Sequence, residues 1–421
     1  MIGLAISAAA LASWGYLLAF RGGFWLTRER DGDSAGAVTP HLPIAQWAPS
    51  SPGGRGEGNT SPGGRGRGPR RGASSEGEGL RSQVWPAVAV IVPARNEADV
   101  IAASLSSLLA QDYPGPFRIL LIDDDSADGT AEAARALADP DRRLSVVRGA
   151  PLRGGWTGKL WAMSQGVETA AEADYLLFTD ADIAHASDNL RALVERAQAG
   201  GLVLTSLMAR LKIESLADKG LIPAFVLFFS MVFPFAWAND PRRPMAAAAG
   251  GCMLVARAAL QRAGGLAAIR GAIIDDCALA ALLKPLGPIW LGLTNRARSL
   301  RAYRTVPAIA AMIARSAYAQ LRYSPVLLAG TLAGLGLTFL SPPALAILGT
   351  GWTRALGAAS WAAMAIAFQP MLAFYRRSPL WGLAAPAIAA LYAGFTLASA
   401  VQVWRGRGGV WKGRAQALAA S

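Results

Sequence analysis

Cysteine is scarce in this chain, which has two among 421 residues. Cys252 and Cys277 lack the spacing of metal ligands, and no histidine lies close to either in the sequence, so nothing indicates a thiolate and imidazole metal site. We expect both to be small buried residues, reduced in the cytoplasm, in preference to a disulfide.

Charged residues are also few, at 16% of the chain against 53% hydrophobic residues. This balance is too apolar for an ordinary soluble enzyme and indicates a membrane protein with one soluble domain. The net charge of +13 could suggest nucleic acid, but no base-reading motif is present and much of the excess lies in a linker and the C-terminal tail. We therefore predict no nucleic-acid partner, and attraction to anionic lipid head groups is the simpler explanation.

Residues 1–20 carry no charge, and Arg21, Arg28 and Arg30 follow them. The stretch is long enough to span a bilayer, with its C-terminal flank in the cytoplasm. A cleaved signal peptide is the alternative. The positive charge follows the apolar run instead of preceding it, which favours a retained transmembrane anchor.

Residues 31–83 lose all apolar periodicity and are rich in Gly, Pro, Ser and Arg, with Ser-Pro-Gly-Gly-Arg-Gly starting at Ser51 and again at Ser61. Such a composition buries too little apolar surface to offset the chain entropy, so we predict a disordered linker. A basic arm that touches lipid or RNA is the alternative.

Three uncharged stretches, 323–353, 355–375 and 378–404, predict about three C-terminal spans before a basic tail at 405–421. This count puts the tail on the side opposite the soluble domain, against the positive-inside tendency. The alternative is that the first stretch, which contains Pro342 and Pro343, forms two short or re-entrant passes.

Strands alternate with helices between residues 84 and 305, with strands at 88–92, 118–122, 144–147 and 175–179, and this alternation predicts an α/β domain with a parallel sheet. The uncharged segment 220–239 is also long enough to span. A span there would separate Asp276 from Asp182 across the membrane, so we predict an interfacial segment.

Carboxylates follow two of these strands: Asp123 and Asp124 after the second, and Asp180 and Asp182 after the run at 175–179. The carboxyl ends of strands in open α/β sheets face the ligand crevice. Oxygen ligands at this spacing suit Mg²⁺ or Mn²⁺, which bind one or two carboxylates plus substrate phosphates. Taken alone, an Asp-x-Asp also fits a simple polar turn.

Two helix starts add candidates. Glycines precede Lys159, an arrangement that lets a phosphate approach backbone N–H groups and an ammonium, although an ordinary loop has the same pattern. Asp275 and Asp276 open a helix at 277–283, where negative charge is favoured. Simple N-capping of that helix is the alternative.

Five stretches, 93–97, 123–130, 158–166, 180–182 and 274–276, together resemble the family 2 glycosyltransferases, inverting enzymes of the GT-A fold. At finer detail the chain is similar to the hopene-associated glycosyltransferases of bacterial hopanoid gene clusters. That second match rests on Gly-Gly-Trp-Thr-Gly-Lys-Leu-Trp-Ala, Ala-Asn-Asp-Pro-Arg-Arg, Ala-Ala-Gly-Gly-Cys-Met-Leu, Ile-Asp-Asp-Cys-Ala-Leu and Gln-Leu-Arg-Tyr-Ser-Pro. Ceramide glucosyltransferases are similar in layout.

The resemblance implies a Rossmann-like mixed sheet, a nucleotide-diphosphate sugar donor, a divalent cation (Mg²⁺ or Mn²⁺) and a lipid acceptor, a hopanoid at the finer level. It also implies a multi-pass protein of the bacterial inner membrane with a cytoplasmic catalytic domain. The residues that it implies for nucleotide binding are Pro93, Ala94, Arg95, Glu97, Asp123 and Asp124.

The same resemblance implies roles for the remaining candidates. Lys159 lies near the diphosphate, Asp180 faces the donor and Asp182 binds the metal. Asp276 is the general base, with Asp275 beside it in the substrate site. Arg322 belongs to a degenerate Gln-x-x-Arg-Trp element in which Tyr323 replaces Trp, and this departure leaves the acceptor open.

Two other functions remain possible at this point. The acceptor could be a polyprenyl phosphate or a ceramide-like lipid. From another class, the chain could be a membrane-anchored scaffold that binds nucleotide or lipid and has lost catalysis. Such a scaffold would be expected to lack a carboxylate at one of these strand ends, and none is missing.

Overall fold

The computed structural model describes residues 1–32, 85–170, 172–406, 410–411 and 414–415. The predicted linker and the basic tail therefore lie largely outside the described residues. Asp31, which we assigned to the linker, is buried, and its backbone N–H donates to the Leu293 carbonyl. Its carboxylate lies 2.9 Å from the Arg296 guanidinium. The predicted linker start at residue 31 is therefore too early, because this ion pair fixes Asp31 to the soluble domain.

Eight strands form one mixed sheet in the spatial order β3-β2-β1-β4-β7-β6-β8-β5. The strands are β1 (Val88–Ala94), β2 (Phe117–Asp123), β3 (Leu144–Arg148), β4 (Tyr175–Thr179), β5 (Ile183–His185), β6 (Leu204–Lys212), β7 (Cys252–Ala256) and β8 (Ile289–Ala302). The first four pair in parallel, as predicted. Strand β1 is buried along its whole length, which explains its continuous apolar run.

The other half of the sheet contains antiparallel pairs, which the alternation of strands and helices did not predict but which give the mixed sheet that the resemblance implied. Strand β7 pairs antiparallel with both β4 and β6, and the short edge strand β5 pairs antiparallel with β8. In the β4 and β7 pair, Thr179 lies opposite Cys252. The start of β7 therefore adjoins the end of β4, where Asp180 follows.

Helices cover both faces of this sheet. They are α2 (Ile101–Leu109), α3 (Thr130–Arg135), α4 (Gly158–Thr169), α5 (Asn189–Gly200), α8 (Arg257–Arg262) and α9 (Asp275–Leu283). Helix α4 lies very close to β1 at Gly166, where an added Cβ would come within 2.5 Å of the Ile91 side chain. This close packing holds the start of α4, with Lys159, at the carboxyl edge of the sheet.

The described chain contains four helices that are long and apolar enough to cross a membrane. They are α1 (Ile2–Phe20), the continuous helix Pro325–Leu348, α14 (Gly351–Phe374) and α15 (Ala385–Trp404). Three of them lie in the C-terminal region, where we predicted about three spans, and that they cross a membrane stays a prediction. Pro325–Leu348 is one helix of 24 residues and not two short passes.

The continuous helix consists of α12 (Pro325–Leu335), a π-helical segment (Gly336–Leu340) and α13 (Ser341–Leu348). Pro342 has no N–H, so it cannot donate to the carbonyl of Thr338 four residues earlier. The indole N–H of Trp14 in α1 donates to that carbonyl instead, at 2.7 Å. A side chain from the N-terminal helix thus replaces the missing backbone donor.

The segment predicted to be interfacial forms α6 (Leu216–Val232) and α7 (Phe235–Asn239), which meet at Pro234. Phe228 of α6 packs edge-on against Phe339 and Tyr392 of the helical bundle. One apolar core joins α6 to the ends of β6 and β8 on one side and to α14 and α15 on the other. Its position along a membrane surface stays a prediction. Helices α10 (Val306–Ala314) and α11 (Ala317–Gln320) connect β8 to the bundle.

Candidate active site

The first part of the site is formed by the ends of β1 and β2. Ala94 pairs with Asp123, and the Asp124 N–H donates to the Ala94 carbonyl at 2.8 Å. Arg95 donates to the backbone carbonyls of Asp124 and Asp125, so its guanidinium links these two loops. Oδ1 of Asp123 is buried and has no hydrogen-bond partner among the described residues. It is therefore an acceptor available to a ligand.

Arg301, near the end of β8, is a site residue that our sequence analysis missed. Its guanidinium lies 2.5 Å from the Glu97 carboxylate and 2.5 Å from that of Asp99. Arg301 belongs to a basic run in β8 that carried no recognisable motif, and the pairing of β8 with β5 and β6 brings it to this edge. Glu97 is thus held by a cation from the far side of the sheet.

Lys159 connects the end of β4 to the start of α9. Its ammonium lies 2.8 Å from Asp180 and 3.1 Å from Asp275. Burial alone would lower the pKa of Lys159, but the charges of Asp180 and Asp275 outweigh it and raise the pKa. Lys159 therefore carries its charge at neutral pH, and the structure brings two of the predicted site residues, Asp180 and Asp275, together around it.

Asp276 accepts two backbone hydrogen bonds, from the Gly250 N–H at 2.9 Å and from the Cys277 N–H at 2.7 Å. Burial and the neighbouring charge of Asp275 raise its pKa to about 6. A Cβ added at Gly250 would lie 3.2 Å from the Lys159 ammonium and 3.4 Å from the Asp276 carboxylate. Glycine at this position therefore leaves room for the side chains of both Lys159 and Asp276.

The boundary that we predicted for this helix is wrong by two residues. Helix α9 begins at Asp275, and Ile274 occupies the N-cap position without a side-chain hydrogen bond. Neither aspartate is the N-cap, because both lie in the first helical turn. Their negative charge there complements the helix dipole.

Asp182 lies where a divalent cation could bind. Burial, with smaller effects of the charges of Asp180 and Glu97, raises the pKa of Asp182 to about 6. Its nearest side-chain partner is the Ser299 hydroxyl at 3.5 Å. No cluster of three His, Cys, Asp or Glu residues in the described chain could hold a metal alone. These residues fit a cation that shares its coordination with substrate phosphates.

A buried network of hydrogen-bonded side chains, formed by Asn189, His185 and Thr179, lies beneath the carboxylates. Asn189 and His185 are 2.9 Å apart, the other ring nitrogen of His185 is 2.9 Å from the Thr179 hydroxyl, and that hydroxyl donates to the Gly251 carbonyl at 2.9 Å. Burial lowers the pKa of His185 to about 4, so the ring is neutral. Through the Gly251 carbonyl this network holds the loop whose Gly250 N–H contacts Asp276.

Arg322 is a predicted site residue for which the described chain shows no contact with the site carboxylates. It is exposed on the turn between α11 and α12, with a left-handed φ of 53°, and Tyr323 follows with 56°. In the part of the chain that the structure describes, Arg322 forms no ion pair with any carboxylate. Its role in acceptor binding stays a prediction.

The mixed sheet with carboxylates at its strand ends is a GT-A glycosyltransferase fold. Residues 89–264, which make up less than half of the chain, match the model of glycosyl transferase family 2, in agreement with the resemblance. Asp275 and Asp276 lie beyond the matched residues.

Several known proteins are similar to this chain. The beta-monoglucosyldiacylglycerol synthase of Trichormus variabilis is 32% identical over 139 residues, which cover 32% of this chain and 29% of that protein. An N-acetylglucosaminyltransferase of Neorhizobium galegae is 30% identical over 199 residues, covering 45% and 43%. Among solved structures, the mannosyltransferase PcManGT from Pyrobaculum calidifontis, in complex with GDP-Man and Mn²⁺, has a TM-score of 0.46 at 22% identity, covering 77% of this chain and 90% of that one. The chain spans less than half of the length of both sequence relatives.

Proposed function

We propose that this protein is a membrane-bound, inverting glycosyltransferase that transfers a sugar from a nucleotide-diphosphate sugar to a lipid hydroxyl, the lipid being a hopanoid. The observation that carries the proposal is the cluster of Asp180, Lys159, Asp275 and Asp276 at the carboxyl edge of a family 2 domain. Helices apolar enough to span a membrane flank this domain at both ends.

Inversion requires the acceptor hydroxyl to attack the sugar from the face opposite the leaving nucleotide diphosphate. Asp276 takes the hydroxyl proton in this proposal, and general base catalysis contributes typically about 10²- to 10⁴-fold. Its pKa of about 6 leaves it ionised and basic near neutral pH. The Gly250 and Cys277 N–H groups hold the carboxylate in one orientation, so it needs little reorganisation during the reaction.

The leaving diphosphate requires positive charge on the other side of the sugar. Asp182 would hold the divalent cation, which when bound offsets charge on the diphosphate. Lys159 keeps Asp180 and Asp275 in place through its ion pairs. Asp123 supplies a buried acceptor for the nucleotide, since its Oδ1 is unpartnered in the described chain.

The hopanoid acceptor is supported by the hopene-associated stretches of the sequence. A glycerolipid is the second candidate, because one relative is named a beta-monoglucosyldiacylglycerol synthase. Deleting the gene and comparing lipid extracts by mass spectrometry distinguishes them. The proposal expects loss of a glycosylated hopanoid, restored by the wild-type gene and not by Asp276→Asn. Loss of a glycosylated glycerolipid instead would refute the hopanoid assignment, and unchanged glycolipids would refute the lipid acceptor.

A further inference from the structure

Five arginines gather where the soluble domain meets the apolar helices, and we call them the arginine cluster: Arg30, Arg210, Arg298, Arg376 and Arg377. Arg30 follows α1, Arg210 lies in β6 and Arg298 in β8, and the last two directly follow α14 and Tyr375. Four separate parts of the chain therefore contribute positive charge to one place.

Aromatic rings and strand pairing hold this cluster together. The guanidinium carbons of Arg30 and Arg210 each lie 5.6 Å from the centre of the Phe374 ring. Arg210 also lies 5.5 Å from the Tyr375 ring. Arg210 pairs with Arg298 between β6 and β8. Guanidinium groups that stack on rings keep N–H donors at their edges for another ligand.

Carboxylates do not neutralise these side chains. None of the five forms a salt bridge with a carboxylate within residues 1–32, 85–170 and 172–406. Their polar partners are neutral: Arg210 donates to the Asn295 side chain, Arg298 to the Asn295 carbonyl and Arg30 to Thr27. Burial is the main cause that lowers the pKa of Arg210, and the charges of Arg298, Arg376 and Arg377 lower it further against an opposing effect of Tyr375. An anion bound among these like charges would relieve their repulsion.

The cluster lies at the ends of two candidate spans. Helix α14 ends at Phe374, immediately before Tyr375, Arg376 and Arg377, and α1 ends at Phe20. The two helices run in the same direction, because Ser7 near the start of α1 donates to the Thr353 carbonyl near the start of α14. Both therefore end on the side of the soluble domain, at the depth of the lipid phosphates if the helices span.

We propose that the arginine cluster binds the phosphate of an anionic phospholipid in the leaflet that faces the soluble domain. The inference rests on the membrane embedding in the proposed function. Basic pockets beside membrane helices attract anionic head groups in this way. Segment 33–84 carries more arginines than carboxylates and is a poor counterion. A lipid bound at the arginine cluster lies beside Arg298 in β8. This arginine is one residue from Ser299, whose hydroxyl contacts Asp182.

The test uses the full chain in mixed micelles of phosphatidylcholine and phosphatidylglycerol, with the lipids that it retains quantified by mass spectrometry. Wild type is expected to retain phosphatidylglycerol preferentially. The double variant Arg298→Gln and Arg376→Gln should lower that preference by roughly fivefold for each arginine removed. Arg118→Gln with Arg142→Gln, an equal charge change on exposed residues of the soluble domain, should have no effect.

The charge-preserving variant Arg298→Lys with Arg376→Lys controls for misfolding, because it should keep most of the preference for phosphatidylglycerol. Wild type without a preference, or a control variant that loses as much as the cluster variant, would overturn the proposal. Displacement of the lipid by inorganic phosphate would also overturn it, because the cluster would then bind a free anion. Alkaline carbonate extraction separates the two hypotheses: a chain released from membranes refutes the embedding, whereas an embedded chain without lipid preference refutes only this inference.

Discussion

Replacing Asp276 by Asn tests the proposed base, and the structure shows that this change is not silent for folding. The carboxylate accepts one N–H on each oxygen, from Gly250 and from Cys277. Asparagine has a single acceptor oxygen, so its amide group must face one of these donors. Leaving a buried donor unsatisfied costs about 1–3 kcal/mol of the free energy of unfolding. A modest loss of stability should therefore accompany the loss of activity.

The expected kinetic effect is much larger than this. Removal of a general base slows the chemical step by about 10²- to 10⁴-fold, with donor affinity little changed. Asp275→Asn is the matched control, because it removes the adjacent carboxylate and its ion pair with Lys159. Lys159 still pairs with Asp180 in that variant, so we expect a smaller decrease in the rate of transfer.

The assay is single-turnover transfer from a labelled nucleotide sugar to lipid, with donor binding and thermal unfolding measured on the same samples. In the wild type the rate should fall as the pH decreases through about 6, because protonation of Asp276 removes the base. Asp182 also has a pKa of about 6, so the assay uses saturating metal to keep it ionised, and the Asn variant should then lose the part of the step that belongs to Asp276. If Asp275→Asn is the inactive variant, the two roles must be exchanged. If neither variant slows transfer, the base lies elsewhere.

Three further predictions follow from the site and its surroundings. Asp182→Ala should abolish metal-dependent turnover while the protein stays folded, and full activity of this variant, or wild-type activity that a chelator leaves intact, contradicts the metal role. Replacing residues 45–80 by a shorter Gly/Ser linker should preserve activity and membrane insertion; loss of either would reveal a binding role. His185→Ala should break the buried network of side chains and lower the free energy of unfolding by about 1–3 kcal/mol, measured by denaturant unfolding. Its control, Thr179→Ser, keeps the hydroxyl and should change that free energy much less.

Local patterns predicted the part of the fold that depends on neighbouring residues in the chain. Buried strands such as β2 and β4 contain continuous apolar runs, and the aspartates at their ends, Asp123 and Asp180, could be read from order alone. Gly158 and Lys159 at the start of α4 were recognisable for the same reason. These predictions succeeded because each one needs only a strand or helix and its immediate flank.

Features that depend on distant pairing were not predictable. The placement of β7, β5 and β8 is set by contacts across the sheet, and it brings Arg301 to Glu97 and Gly250 to Asp276. The ion pairs of Lys159 with Asp180 and Asp275 join residues that the sequence assigned to separate motifs. An arginine in a basic strand carries no signal of its partner until the strand order is known.

The hydrogen bond from Trp14 to Thr338 also affects the stage of synthesis at which the helices can finish packing. Its two residues are 324 positions apart, so the first helix emerges from the ribosome long before its acceptor is synthesised. In lipid an unpaired indole N–H or backbone carbonyl is costly. The Trp14 N–H and the Thr338 carbonyl lack this hydrogen bond until both helices are in place. In the membrane protein that we propose, assembly of the helical bundle therefore finishes only when the helix with Pro342 has inserted. Helix α1 is then a late-docking member of the bundle, and a generic hydrophobic helix in its place would leave the Thr338 carbonyl without a donor.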